Sequence, residues 1–252
     1  MNSLLVKIYA TVPKGLKLKI GQSRWLKGLR KRMLYDVNGF KIAQVFVQRT
    51  YGKFKVNFQF VASIKMASKA KRLGIENTVL RNSFTLIESY KSNKTNLNVL
   101  DIGSNFGYLA SVWADSIAKK GKVLAFEPNR NLYNSISKTI KANTKFSTNF
   151  EVYNLAVGSK NEFIIINASN FSSNTQNMDT AIETYGIDMV TIDSFLNQEG
   201  INTIDLIKID VDGIELEILK GAKNLLEQNK SIVIVETNDD SEIVDFFKNL
   251  EY

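Results

Sequence analysis

Asp101, Gly103 and Gly107 fall within one stretch, Asn98 to Tyr108, reading N-V-L-D-I-G-S-N-F-G-Y. A second acid, Glu127, follows about 20 residues past that loop, at the end of the next apolar run, a place where an acid binds ribose hydroxyls. Glycines at this spacing let the backbone pass close to a ligand or adopt positive φ. A dinucleotide loop reads G-x-G-x-x-G and points its helix at a pyrophosphate. Here the pattern is D-x-G-x-x-x-G, with one glycine fewer and an acid ahead of the first. That acid would repel a pyrophosphate but suits an ammonium. A nucleoside with an amino-acid tail and no phosphate meets both conditions, and S-adenosylmethionine (SAM) is one. The missing third glycine argues against a hydride-transferring dehydrogenase. An ordinary βα turn would explain the glycine loop alone; Glu127 in its proper place is what favours a cofactor.

A second cluster lies at Ile204 to Glu215, I-D-L-I-K-I-D-V-D-G-I-E. Leu206, Ile207 and Ile209 suit a buried strand. Period-two alternation puts Lys208 and Asp210 on one face at its carboxyl end. Helix capping explains Asp212 and Glu215, but not a Lys-x-Asp at the tip of a buried strand. Glu236 ends a further apolar run at the same edge. The chain has no His and no Cys, so thiolate nucleophiles, imidazole bases, disulfides and His/Cys metal sites are excluded. A carboxylate or Lys208 is then the available proton acceptor. A secondary reading places a hard cation, Mg²⁺ or Ca²⁺, on Asp210, Asp212 and Glu236.

The elements that must position these residues alternate. Strand 97–102 precedes helix 107–119, strand 122–127 precedes helix 130–142, and strand 150–155 follows. Strand 204–210 leads to helix 213–226, and strand 231–236 to helix 240–250. This order predicts a mostly parallel, doubly wound Rossmann-like α/β sheet with helices on both faces. Extra strands are expected at Phe163–Ile166 and Met189–Ile192, around a Ser/Asn-rich loop, Asn167 to Asn177. Upstream, Phe40–Val47 and Phe54–Phe60 alternate as a hairpin turning at Tyr51-Gly-Lys. Ala62–Leu73 and Asn77–Lys91 read as helices. Lys14 to Lys19 alternates like a strand, and residues 24–34 form a short basic amphipathic helix.

The net charge of +8 conceals a division. Residues 1–75 carry 17 Lys/Arg and one acid, Asp36, whereas the remainder has a surplus of acids. We therefore separate a basic α+β extension, 1–75, from a catalytic domain, 76–252. The extension is expected to contact something anionic: a membrane surface, nucleic acid, an acidic glycan or the acidic body of the same chain. No run reaches the ~18 apolar residues of a membrane span, and the start lacks a signal-peptide cleavage pattern. The expected location is cytoplasmic, with peripheral membrane contact as one of the alternatives for the basic third.

Taken in order, V-L-D-I-G-S-N-F-G-Y (99–108), V-L-A-F-E-P-N (123–129), N-L-A-V-G (154–158), T-I-D-S-F-L (191–196), D-L-I-K-I-D-V-D-G-I-E-L-E-I-L-K-G-A (205–222) and I-V-I-V-E (232–236) resemble the FkbM-type SAM-dependent methyltransferases. The resemblance implies a class I methyltransferase fold and O-methylation of a hydroxyl on a sugar, glycan or secondary metabolite. By position it implies that Asp101, Gly103, Asn105 and Gly107 hold the methionine moiety. It places Glu127 on the ribose with Pro128 and Asn129 shaping that edge, Asn154 and Ala156 beside the adenine, and Lys208 and Asp210 beside the transferred methyl. The family usually has Glu at the place of Asp212 and often Ala at that of Ser104. Its fold normally ends in an antiparallel hairpin, for which no sequence remains after about Leu250, so either the sequence is a fragment or the expected sheet lacks its last two strands.

The leading expectation is in-line methyl transfer from the sulfonium to a hydroxyl oxygen held within about 3–3.5 Å, with Asp210 or Lys208 as base. A nucleic-acid (RNA) methyltransferase is the enzymatic alternative, motivated by the basic third. A non-catalytic scaffold built on a shortened methyltransferase fold is the other.

Overall fold

The computed structural model describes residues 2–36, 39–91, 95–169, 173–174, 183–211, 213–237 and 240–252. Three helices, α1 (Ser3–Thr11), α2 (Lys14–Gln22) and α3 (Arg24–Leu34), open the chain. A short antiparallel bridge, β1 (Tyr35–Asp36) to β2 (Gly39–Phe40), leads to a long hairpin of β3 (Ile42–Tyr51) and β4 (Phe54–Ser63). Tyr51 pairs with Phe54 across a two-residue turn in which Gly52 takes φ +55°. Two helices, α4 (Ile64–Arg72) and α5 (Asn77–Tyr90), follow.

The central sheet comprises β5 (Asn98–Ile102), β6 (Lys122–Phe126), β7 (Phe150–Tyr153), β12 (Leu206–Ile209) and β13 (Ile232–Val235), in the spatial order β13-β12-β5-β6-β7. All four pairings are parallel. Strand direction of winding reverses between β5 and β12, which is the switch point where open α/β sheets leave a crevice at their carboxyl ends. The crossover helices are α6 (Tyr108–Ala114), α7 (Arg130–Lys141), α9 (Glu215–Lys220) and α10 (Lys223–Gln228), and α11 (Ser241–Asn249) follows the last strand. Between β7 and β12 a second sheet is inserted, from β8 (Ala156–Val157), β9 (Glu162–Ala168), β10 (Ser173–Asn174) and β11 (Glu183–Val190), before α8 (Ile192–Glu199).

Four expectations need correction. Lys14–Lys19 is helical. A strand there would have no partner for its backbone, whereas a helix satisfies N–H and C=O groups locally. Helix 107–119 ends at Ala114, because Asn149 Nδ2 takes the carbonyls of Ala114 and Ala118 at 2.9 Å each. Helix 213–226 is two helices. Gly221 passes so close to the Gly158 carbonyl that a Cβ would lie 2.1 Å from it, and Asp193 accepts the N–H groups of Asn224 and Leu225 that start the second helix. The strand expected at 189–192 starts at Glu183, and Ile192 opens α8 because Thr191 caps it through Ser194 N. Of the Asn167–Asn177 loop, Ser173 and Asn174 pair with β9, while 170–172 and 175–177 lie outside the described residues.

The charge boundary near residue 75 is not a boundary of packing. One apolar core runs from Val6 and the hairpin's Phe58 and Phe60 through Trp113 of α6 to Val123 and Leu206 of the sheet. The outer edge of β4 is sealed by side chains rather than by another strand. Asn57, Gln59 and Val61 donate their N–H groups to Asp115, Asn143 and Thr139, at 2.6, 2.8 and 2.9 Å. Ser135 and Asn143 in turn donate to the carbonyls of Val61 and Gln59. Ser135, Thr139 and Asn143 are four residues apart, one helical face of α7 and its continuation, so a single polar stripe matches the alternate residues of a strand edge. An open edge of this length would otherwise pair with foreign strands. Thr139→Val should therefore leave the buried Val61 N–H unpaired and cost about 1–3 kcal/mol. A thermal melt should show the midpoint several degrees lower; an unchanged midpoint would mean that this edge is satisfied otherwise.

Candidate functional site

The crevice sits at the switch point, over the carboxyl ends of β5, β6 and β12. Its walls include Gly103, Ser104, Asn105, Phe106, Tyr108, Glu127, Pro128, Lys208, Asp210 and Val211. The loop after β5 bends through three left-handed residues, Gly103 (φ +73°), Asn105 (φ +53°) and Gly107 (φ +70°). Gly103 is required on two counts. Its φ disfavours any side chain, and a Cβ would lie 2.1 Å from the carbonyl oxygen of Asp210. Ser104 Oγ donates to Asp101 O at 2.6 Å, and the N–H groups of Gly103 and Ser104 both go to Phe126 O. The loop is thus stitched to the neighbouring strand on one side and packed against the end of β12 on the other.

Glu127 joins the two loops that face the crevice. Its Oε2 accepts from Asn105 N at 2.8 Å and its Oε1 from Asn129 N at 2.9 Å. Burial raises its pKa to about 7, against the opposing pull of those two amides. The loop after Glu127 is braced from outside. Asn154 Nδ2 donates to the carbonyls of Glu127 and Pro128, and Tyr185 OH, from the inserted sheet, donates to Pro128 O at 2.8 Å. Arg130 lays its guanidinium 3.9 Å over the Tyr185 ring. Asn129 caps α7 and reaches Ser169 O with its amide.

Beneath the floor lies a buried ion pair. Lys208 and Asp101 are paired positions on adjacent parallel strands, 4% and 0% exposed. The ammonium stands 3.5 Å from Asp101 Oδ1 and 3.5 Å from Asp210 Oδ2. It donates to Gly103 O at 2.8 Å and to Ile102 O at 3.3 Å. Burial alone would lower the pKa of Lys208, but Asp101, Asp210 and Glu76 together raise it. It is an ammonium without a lone pair, and its N–H groups hold the glycine loop, while Asp210 stands half-exposed at the lip. Asp101 has the Lys208 ammonium as its charge partner, and burial pushes its pKa up against that attraction.

Six of the residues singled out in the sequence line the crevice: Gly103, Asn105, Glu127, Pro128, Lys208 and Asp210. Asp101 lies under it, Gly107 caps α6, and Asn129 and Asn154 act from behind. Ala156 is on β8, paired with Met189 of the inserted sheet, and is not among the crevice walls. Glu236 is solvent-exposed and Asp212 lies outside the described residues; among the described residues no three carboxylates are grouped to hold a metal. The sequence did not mark Glu76. It precedes α5 with φ +49°, lines the crevice with Met66 and Ile75, and its charge reaches Lys208, Asp101 and Asp210. An acid ahead of a helix looks like capping, and only the docking of 64–76 over the sheet edge brings it here.

The strand order, the glycine turn and the acid ending the second strand define the Rossmann-like class of methyltransferase folds. Residues 101–252 match the methyltransferase FkbM domain, and the chain belongs to that family. Solved structures similar to it include a precorrin-6y C5,15-methyltransferase from Geobacter metallireducens GS-15, with 12% identity over 69% of this chain and 71% of that one, at a TM-score of 0.42. Another is a putative caffeoyl-CoA O-methyltransferase from Staphylococcus aureus, with 14% identity over 70% and 72% of the two chains, at 0.40. No curated protein matches.

The raised pKa of Glu127 has a signed consequence for stability. Between pH 4.5 and about 7 the folded chain keeps a proton that the unfolded chain releases. Stability should fall as pH rises through that window, by up to about 3 kcal/mol, and level off above it. Glu127→Gln should lack this slope. Urea midpoints across a pH series check it, and identical profiles for the two proteins would refute it.

Proposed function

We propose that the crevice binds S-adenosylmethionine and that the protein methylates a hydroxyl oxygen of a sugar, glycan or secondary metabolite. The observation that carries the reading is the charge balance of the site. Glu76, Glu127, Asp210 and the underlying Asp101 face a single ammonium, Lys208, among the described residues. Lys208 is already committed to carbonyls and carboxylates. A ligand with phosphates would meet repulsion here. One carrying a sulfonium and an ammonium on a nucleoside would be attracted.

When bound, the cofactor supplies an activated methyl group. Glu127, at the crevice wall, would accept hydrogen bonds from ribose hydroxyls. Asn105 and Gly103 present backbone at the glycine turn, where the amino-acid tail would lie. Lys208 is a positioning residue: it fixes the Gly103 carbonyl and so the shape of that turn. Asp210, at the lip, takes the proton from the acceptor hydroxyl. Family membership supports methyl transfer, and the absence of any His or Cys leaves a carboxylate as the base.

Isothermal calorimetry with SAM tests the cofactor. Glu127→Gln and Asp101→Asn should each weaken binding by about tenfold or more, the cost of one charge-assisted contact. Unchanged affinity in both would overturn the assignment. Asp210→Asn should keep SAM affinity while methyl transfer to a hydroxyl acceptor drops about 10²–10⁴-fold; a variant as active as the parent would remove Asp210 from the chemistry.

A further inference from the structure

An amphipathic helix that docks on its own domain buries its apolar strip. In α3 the last turn is docked, with Leu34 in the core and Met33 packed on it, yet Leu26 and Leu29 remain 40% and 66% exposed. In α1 the Val6 side packs into the core and against α4 and β3. The opposite side shows Leu4 and Ile8, 67% and 45% exposed, one turn apart and beside exposed Lys7. Leu16 of α2 adds another exposed aliphatic side chain. Across residues 1–35 there are nine Lys/Arg and no acid, and Lys19, Arg30, Lys31 and Arg32 are exposed among these leucines.

The combination selects the partner. Nucleic acid would use the cations, but bases stack on flat rings, and aliphatic leucines add nothing to such a surface. The acidic body of the same chain leaves these side chains uncovered. An anionic bilayer uses both features at once, cations at the headgroups and leucines among the upper acyl chains. None of the described helices is long and apolar enough to cross a membrane. The surface is also near the site. α4 contributes Met66 to the crevice, while its Arg72 donates to Ala10 O of α1.

We propose that α1–α3 form an interfacial anchor that seats the protein on an anionic lipid bilayer, one helix away from the crevice. The anchor is independent of the cofactor assignment, because vesicle binding is read without SAM. Co-sedimentation of the full chain with vesicles of phosphatidylcholine alone, and of phosphatidylcholine mixed with phosphatidylglycerol, tests it. Binding is expected to the mixed vesicles and to fall with salt. Leu26→Asp/Leu29→Asp should weaken it by about tenfold or more. Arg30→Gln/Lys31→Gln/Arg32→Gln should weaken it on the order of a hundredfold. Both variants should melt like the parent, since the altered side chains are exposed. No binding to mixed vesicles, undiminished binding by the leucine variant, or tighter binding to single-stranded RNA than to the vesicles would overturn the proposal.

Discussion

The interaction on which the rest of the site depends is the contact between Lys208 and Asp101 at the centre of the sheet. Two charges on adjacent buried strands are costly to desolvate, and removing one leaves the other stranded at a cost of about 3–5 kcal/mol. The cost is tolerated here because the ammonium has further work. It reaches past Asp101 to the carbonyls of Ile102 and Gly103, so the strand register of β12 against β5 sets the shape of the turn that follows β5. The missing side chain at Gly103 belongs to the same device. It lets the Asp210 carbonyl approach, and with it the half-exposed carboxylate at the crevice lip.

Around that centre the supports are polar and come from every side. Glu127 ties the loop after β5 to the loop after β6, and Asn154 and Tyr185 hold the second loop from behind. The backbone of both loops is therefore held by side chains, from the crevice wall and from behind it. Such a frame costs no rearrangement when a ligand arrives, which is how a site gains affinity from rigidity. The inserted sheet, a detour in the chain between β7 and β12, contributes through Tyr185.

The basic N-terminal third is part of the same body. Its hairpin edge is closed by a polar stripe on α7, its aromatic residues share the main core, and Met66, Ile75 and Glu76 supply the far wall of the crevice. It separates from the remainder in charge, not in packing. The helices ahead of the hairpin differ again: their outer faces carry exposed leucines beside cations, which is the composition of a surface that meets something other than water.

Much of this was legible beforehand, for reasons of period and spacing. Apolar runs of four to five residues, each followed by a helical pattern, determined a parallel sheet, because only crossover helices can join parallel strands and cover both faces. The glycine turn was readable because positive φ demands glycine at particular places, and the position of Glu127 beside it because an acid ends the next apolar run. The short strand-like alternation at Lys14–Lys19 misled because a two-residue period says nothing about whether a partner strand exists. The break at Gly221 was hidden because it arises from a contact with Gly158, distant in sequence. What tertiary structure alone decided was which charges meet. The chain shows a lysine, several acids and no histidine; only the pairing of β5 with β12 buries Lys208 against Asp101 and the glycine turn, and only the docking of 64–76 puts Glu76 beside it, because electrostatic environments depend on distance and burial, and neither is written in the order of residues.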